Sequence, residues 1–473
     1  MEPNDFFAAR PTKTTITIHC MDEREARAHL KNKASAMQKA WVKARNFRVK
    51  GGNSVVLPGR DGKIAAVLMV RPATVTPWTF AGVPSSLPKG RYELKCSGSC
   101  AETIALGWAL GQYHFDRYKA APRKPRQLVW PEGVDSARVL RLAEATFLVR
   151  DLITTPANDM GPSQLADAAA EVGKKHGAKV SVVKGKKLEE QYPMVHAVGR
   201  ASAEQPLYVD VRWGDESHPK VTIVGKGVVF DSGGLDIKSA SSMLTMKKDM
   251  GGAAHAIALA GAVMDAKLPV RLRLLVPCVE NAVGGNAFRP LDVLPTRKGL
   301  TVEIGNTDAE GRLILCDALA DAAEEEPDLI LDFATLTGAA RVALGTELPA
   351  LFCNDELLAT ELTAGAQRAQ DPIWRLPLHD DYDRYLHSSI ADVSNTSSVG
   401  TGGAITAALY LRRFIPGGQP WAHFDVMAYN TGTRPGRPKG GEAMGLRACY
   451  EALELRYTQQ DEASAEVEAA AEG

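Results

Sequence analysis

Acidic residues set among glycines mark three stretches of this sequence as places where chemistry could occur. They are Gly225-Lys226-Gly227-Val228-Val229-Phe230-Asp231-Ser232-Gly233-Gly234, Lys247-Lys248-Asp249-Met250-Gly251-Gly252 and Asn306-Thr307-Asp308-Ala309-Glu310-Gly311-Arg312. Small neighbours let the backbone close on something compact. Asp231, Asp249, Asp308 and Glu310 are more acids than a general acid/base pair needs. Converging without neutralisation, they would repel until some took up protons. A pair of divalent cations removes that repulsion. Oxygen-rich sites suit Mg or Mn, and Zn also accepts carboxylates. Taken alone, each Asp reads better as a helix cap or loop acid, the common use of Asp after a strand. Three such stretches together, with Lys226 and Lys238, favour a metal site.

Strand ends must carry these stretches. VTIVGKGVVF (221–230), VRLRLLVPCV (270–279), TVEI (301–304), DLILDFATLTG (328–338) and WAHFDV (421–426) read as strands. GGAAHAIALAGAVMDA (251–266), RLILCDALADAAEEE (312–326) and GAITAALYLRRFI (403–415) read as helices between them. The alternation predicts an α/β catalytic domain with a mixed, mostly parallel sheet covered by helices on both faces. Ligands of such sheets bind outside the carboxyl ends of the strands, where the acidic stretches fall. The first third also mixes strands (TTITIH at 14–19, SVVLPG, IAAVLMV) with helices. Arg24 to Arg45 lacks Pro and Gly and predicts one helix, and ETIALGWALGQYHF (102–115) predicts another. The expected division is an amino-terminal α/β domain at 1–130, a linking helix at 131–157, a catalytic domain at 158–460 and a frayed acidic tail at 461–473. The Pro- and Lys-rich KAAPRKPRQ (119–127) is the linker by composition.

NTDAEGRLILCDAL (306–319) resembles the signature of the M17 leucyl aminopeptidases, the cytosol aminopeptidase family. VGKGVVFDSGGLDIK (224–238) and MKKDMGGAA (246–254) resemble its other two metal motifs, in the right order. TPANDMGPSQLA, ATLTGAA, GAITAAL and GRPKGG extend the likeness over roughly 150–450, a typical span for a large domain. The first third carries no matching motif. The resemblance implies a metal-dependent aminopeptidase acting on peptides. Lys226, Asp231, Asp249 and Glu310 would hold the tighter of two ions (Mn or Zn). Asp231, Asp308 and Glu310 would hold the exchangeable one, with the Asp308 main-chain carbonyl. Lys226 would have to be neutral to donate a lone pair. Lys238 would face the oxyanion, and Arg312 would hold a bicarbonate acting as general base. Met246, Thr335 and Gly338 would line the pocket for the first side chain, favouring Leu and Met. Met444 is a candidate for its opposite wall. The family also implies a homohexamer of two stacked trimers.

Other features carry less. Ser232 lacks the flanking pattern of a nucleophile elbow, and SVGTGGA (398–404) lacks the Lys-Ser/Thr ending of a phosphate loop. His255 and His423, on apolar elements, read as satisfied interior histidines. Lys247 and Lys248 read as offsetting the charge of Asp249. The chain has 473 residues, 45% hydrophobic and 24% charged, which fits a globular enzyme and excludes wholesale disorder. Lys+Arg and Asp+Glu are both 56, so the net charge is zero and argues against a DNA-binding role. One branch of the resembled family binds DNA through its amino-terminal region, where 31–33 and 123–126 are the only notable basic clusters. No apolar run reaches the ~18 residues of a membrane span, and the start lacks the pattern of a secretory leader. The seven Cys read as mostly buried thiols of a cytoplasmic protein. Cys96 and Cys100 are the only close pair, a weak zinc signal.

Overall fold

Ser35 interrupts the helix expected from Arg24 to Arg45. Its side chain accepts from the Gln38 backbone N–H, and the Gln38 side chain accepts from the Ser35 N–H. This capping box starts a second helix, Ala36–Ala44, after the first, Glu23–Asn32, has ended. The helix expected over 102–115 is also shorter, Ala101–Leu110, ending at Gly111. The computed structural model describes residues 2–96, 100–120 and 124–471, the last helix beyond residue 458 as backbone alone. Residues 121–123 of the expected linker, including Arg123, lie outside the described residues. Arg126 of the same basic cluster is buried, its guanidinium donating to the Leu87 carbonyl. The expected frayed tail is instead helical backbone, since the helix Leu446–Ala471 runs through it.

The chain divides into two compact units, one running to Phe147 and including Gly432–Lys439, the other starting at Leu148 and resuming at Gly440. The division falls within the helix Ser136–Thr154. The smaller unit contains strands β1 (Phe7–Ala8), β2 (Ile16–Met21), β3 (Ser54–Pro58), β4 (Ile64–Val70), β5 (Arg91–Cys96) and β6 (Gln127–Val129). They form a sheet in the order β1-β6-β5-β2-β4-β3, with only the β3–β4 pair antiparallel.

The larger unit holds a mixed, mostly parallel sheet. Its strands are β7 (Lys179–Lys184), β8 (Leu207–Trp213), β9 (Lys220–Gly225), β10 (Gly227–Asp231) and β11 (Arg271–Asn281). A small side sheet uses β12 (Val293–Pro295), β13 (Thr301–Glu303) and later β17 (Val393–Ser394). The main sheet continues with β14 (Leu329–Ala334), β15 (Ala350–Cys353), β16 (Trp374–Arg375) and β18 (Trp421–Asp425). Its order is β16-β15-β18-β14-β9-β11-β8-β7, with β10 paired to β11. The central strands β11, β9, β14 and β18 are parallel to their neighbours in that run. The run 221–230 is therefore two strands, both paired with β11 but broken at Lys226, whose carbonyl turns away to accept from Ala253 N.

Helices Pro162–Lys175 and Gly251–Asp265 pack on the sheet, as do Pro193–Gly199, Gly311–Ala323 and Gly403–Arg412. The small residues of Gly251–Asp265 have a purpose. A Cβ on Gly252 would overlap the Phe333 carbonyl of β14, and one on Gly225 would lie 2.6 Å from Ala253 Cα. The helix thus seats backbone against backbone, fixing the turn that precedes it, which holds Asp249. Among the described residues, no helix is long and apolar enough to cross a membrane.

Candidate metal centre and active site

Lys226 sits in the break between β9 and β10. Its N–H donates to the Phe333 carbonyl at 2.9 Å, and its carbonyl accepts from Ala253 at 2.8 Å. The side chain is fully buried, and a Cβ on Gly311 would displace its end, so glycine leaves room for it there. Its Nζ lies 2.5 Å from Asp249 Oδ2 and 3.1 Å from Glu310 Oε1. Asp249 occupies a short 3-10 turn, Met246–Met250. Thr335, just past β14, donates to its Oδ1 at 2.7 Å.

Asp231 ends β10. Its Oδ1 accepts from Gly233 N and from Asn281 Nδ2, both at 2.8 Å, while its Oδ2 lies 2.8 Å from Lys238 Nζ. Gly233 and Gly234 both have positive φ, +89° and +66°, and turn the chain sharply after Asp231. Thr307 ties this turn to the third acidic stretch, donating to the Gly233 carbonyl at 2.6 Å and accepting from Asp236 N at 2.9 Å. Asn395, after β17, clamps the same stretch through Gly305 N and the Asn306 carbonyl. Asp308 contacts Lys238. Glu310 stands at the cap position of helix Gly311–Ala323, yet its side chain makes no capping bond. It turns inward, where Asp231, Asp308 and Glu310 bring carboxylate oxygens within 4.8 Å of one another.

The electrostatics follow from this crowding. Burial, then the charge of Asp231, pushes Glu310 well above the usual carboxylate range. Burial, then Asp249, pushes Asp231 up to about 6. Asp249 stays below its ordinary value because Lys226 and Lys248 outweigh its burial. Lys226 and Lys238 are raised, since Asp249 and Asp231 respectively outweigh burial. The neutral Lys226 implied by the family likeness requires a metal to offset the pull of these carboxylates on its proton. A metal ion at Nζ has to displace a proton held by Asp249 and Glu310. The donor set itself, carboxylates mostly buried and one amine, fits divalent Mn or Zn.

Beside these groups lies a cavity of about 410 Å³. Lys226, Asp231, Lys238, Asp249, Asp308 and Glu310 line it, as do Met246, Thr335 and Gly338. Its lining also includes Val426 and Met427, and does not include Met444. Met444 is buried elsewhere, its N–H donating to His255 Nε2 at 2.9 Å. His255 is bonded at both nitrogens, Nδ1 lying 2.6 Å from the Gly251 carbonyl. Arg312 is outside the lining. Its Nη1 donates to the Asn395 carbonyl at 2.7 Å, it forms no ion pair with Asp308 or Glu310, and its buried Nε has no partner.

Asn281, Thr307, Asp425 and Met427 were not singled out by sequence reasoning. Asp425 was the most accessible, being an acid at the carboxyl end of a strand like Asp231. It accepts from Leu336 N at 2.9 Å and Thr337 Oγ1 at 2.6 Å, fixing the turn that presents Thr335 and Gly338. Lys247 does not face Asp249 but donates to the Thr154 carbonyl, whereas Lys248 is buried and lines the cavity.

The catalytic-domain profile of the cytosol aminopeptidase family matches residues 147–450, and the M17 aminopeptidase N-terminal domain matches 16–131. The chain belongs to the cytosol aminopeptidase family. A probable cytosol aminopeptidase of Chlorobium luteolum is 37% identical over 86% of this chain and 90% of its own length. One from Chlorobaculum tepidum is 44% identical over 75% of each. The crystal structure of the Coxiella burnetii cytosol aminopeptidase superposes with a TM-score of 0.92 at 47% identity, covering 96% of this chain and 100% of that one. The bottromycin maturation enzyme BotP in complex with Mn superposes at 0.83 with 36% identity, covering 94% and 100%. Membership makes the chain a hydrolase, a metallo-aminopeptidase that acts on peptides. It also assigns the first third, which showed no motif by eye, to the family's own amino-terminal domain.

Proposed function

We propose that this chain removes amino-terminal residues, preferably Leu and Met, from peptides with a pair of divalent cations held by Lys226, Asp231, Asp249, Asp308 and Glu310. The observation that carries this reading is the convergence of Asp231, Asp308 and Glu310 within 4.8 Å, beside buried Lys226 and Asp249. In this reading Lys226, Asp231, Asp249 and Glu310 hold the tighter ion. Asp231, Asp308, Glu310 and the Asp308 carbonyl hold the exchangeable one. Manganese or zinc suits these donors, and the Mn complex of BotP supports manganese. Such a pair, when bound, supplies Lewis-acid polarisation of the scissile carbonyl and a water acidic enough to attack it.

The chain's own groups position and complement that chemistry. Asn281 and Thr335 orient Asp231 and Asp249. Lys238 stays cationic and offers its charge where the carbonyl oxygen becomes negative. Arg312 anchors a bicarbonate in this reading, and its unpaired, buried Nε suits an anion. Met246, Thr335 and Gly338 form one wall of the side-chain pocket, with Val426 and Met427 on the cavity as well. Assembly as a homohexamer of two stacked trimers, and work in the cytoplasm, complete the proposal. The test is hydrolysis of Leu-p-nitroanilide before and after chelation. Activity should vanish with the metal and return with Mn or Zn. Undiminished turnover after complete stripping would reject the reading.

A further inference from the structure

The smaller unit brings three cysteines together. Cys20 ends towards the carboxyl side of β2 and is paired in register with Cys96 on the parallel strand β5. Cys100 immediately precedes the helix Ala101–Leu110, and its sulfur lies 2.8 Å from that of Cys96. All three sulfurs lie within 4.8 Å of one another. Cys20 is buried, and Cys96 and Cys100 are half-buried. Cys20 and Cys96 line a cavity of about 870 Å³ together with His19, His29 and Glu93. The Arg71 guanidinium lies within electrostatic range of all three sulfurs.

We propose that Cys20, Cys96 and Cys100 form a three-thiolate zinc site, separate from the carboxylate centre of the larger unit. A disulfide would use two of these sulfurs and leave the third stranded, whereas zinc uses all three. Zinc–sulfur bonds of about 2.3 Å place thiolates at tetrahedral vertices roughly 3.8 Å apart. The present spacing needs only a small opening of the Cys96–Cys100 pair to reach that. Three thiolates and one Zn²⁺ sum to a single negative charge, which Arg71 offsets, so the loaded site is neutral overall. A water entering through the cavity supplies the fourth ligand. Ligand softness sorts the metals: thiolates select zinc, while the oxygen-rich centre accepts manganese.

Cobalt(II) distinguishes the two sites, because only thiolate ligation gives an intense sulfur-to-cobalt charge-transfer band. The reduced, metal-free full chain, titrated with cobalt, should develop that band, its final intensity corresponding to one thiolate-bound ion per chain. Zinc should abolish it. The band should persist in Asp249→Ala and be lost in the Cys96→Ser/Cys100→Ser double variant, with circular dichroism reporting on its folding. Independently of any variant, zinc should protect Cys96 and Cys100 of the wild type from alkylation by iodoacetamide, read by peptide mass spectrometry. Absence of the band at saturating cobalt, its survival in the folded double variant, or unchanged alkylation with zinc would each overturn the proposal. So would a Cys96–Cys100 disulfide in the air-exposed chain when the reduced chain takes no thiolate-bound cobalt.

Discussion

Gly338 is the position where substrate selection can be tested without disturbing the fold. It opens the helix Gly338–Leu344, capped by Thr337, and lines the cavity beside the acids. A Cβ built there meets only Arg341 Nη2, at 3.8 Å, an ordinary contact, and the backbone is not in the left-handed region. Valine should therefore be accommodated, with its three carbons directed into the cavity. A Leu side chain exceeds Ala by three carbons. At about 0.8 kcal/mol each, burying them favours Leu by about 2.4 kcal/mol. That corresponds to roughly 60-fold in kcat/KM, within the span usual for apolar pockets. Gly338→Val should remove most of that advantage. Turnover of Leu-p-nitroanilide should fall by about 60-fold in kcat/KM while Ala-p-nitroanilide stays within about twofold of wild type. Equal losses on both substrates would mean that Gly338 supports the fold or the metals and does not select the side chain. No loss on either would put the pocket elsewhere.

Lys238→Ala should lower kcat strongly with metal content unchanged by elemental analysis, because its charge matters most in the transition state; loss of metal would make it a structural tether of Asp231 and Asp308. Arg312→Ala should lower kcat and abolish any stimulation by added bicarbonate. His423 of β18 lies 2.6 Å from Asp332 of β14, and this pairing outweighs burial and raises the imidazole above its ordinary value. The pair's contribution is therefore complete below about pH 6.5 and is lost as pH rises through the raised folded value. Asp332→Ala should cost about 3–5 kcal/mol at low pH, and its deficit in melting temperature should narrow at alkaline pH; a deficit independent of pH would contradict the assignment. Light scattering should give about six times the chain mass, a closed homo-oligomer, and a fully active monomer would reject the hexamer.

The site was legible where its chemistry is local. Asp308, Glu310 and Gly311 are near neighbours in one stretch, and the resemblance carried by that stretch named the candidate ligands. What sequence could not supply was contact at long range. Asn281 reaches Asp231 only because β10 pairs with the end of β11. Met427 faces the cavity because it follows β18, a strand beside β14. Lys226 looked like the middle of one long strand, but its carbonyl turns to Ala253 N of the following helix and breaks the strand there. The upward pull on the Lys226 pKa comes from three-dimensional charge crowding that no motif reveals. In the smaller unit, Cys20 gave no signal in sequence because its companions lie on the neighbouring strand and the start of the next helix. The break at Ser35 was readable in principle, since Ser followed by Gln three residues later is a capping box, but helix-favouring composition around it masked the signal.

The central claim, that these acids hold a working pair of ions, is tested most directly by counting manganese and turnover together. Metal-free chain titrated with manganese should bind two ions per chain, with hydrolysis of Leu-p-nitroanilide appearing only as they fill. Glu310→Ala, which removes a carboxylate shared by both positions, should bind less than wild type and remain inactive at saturation. Full activity with no bound metal, or undiminished manganese binding in Glu310→Ala, would contradict the account.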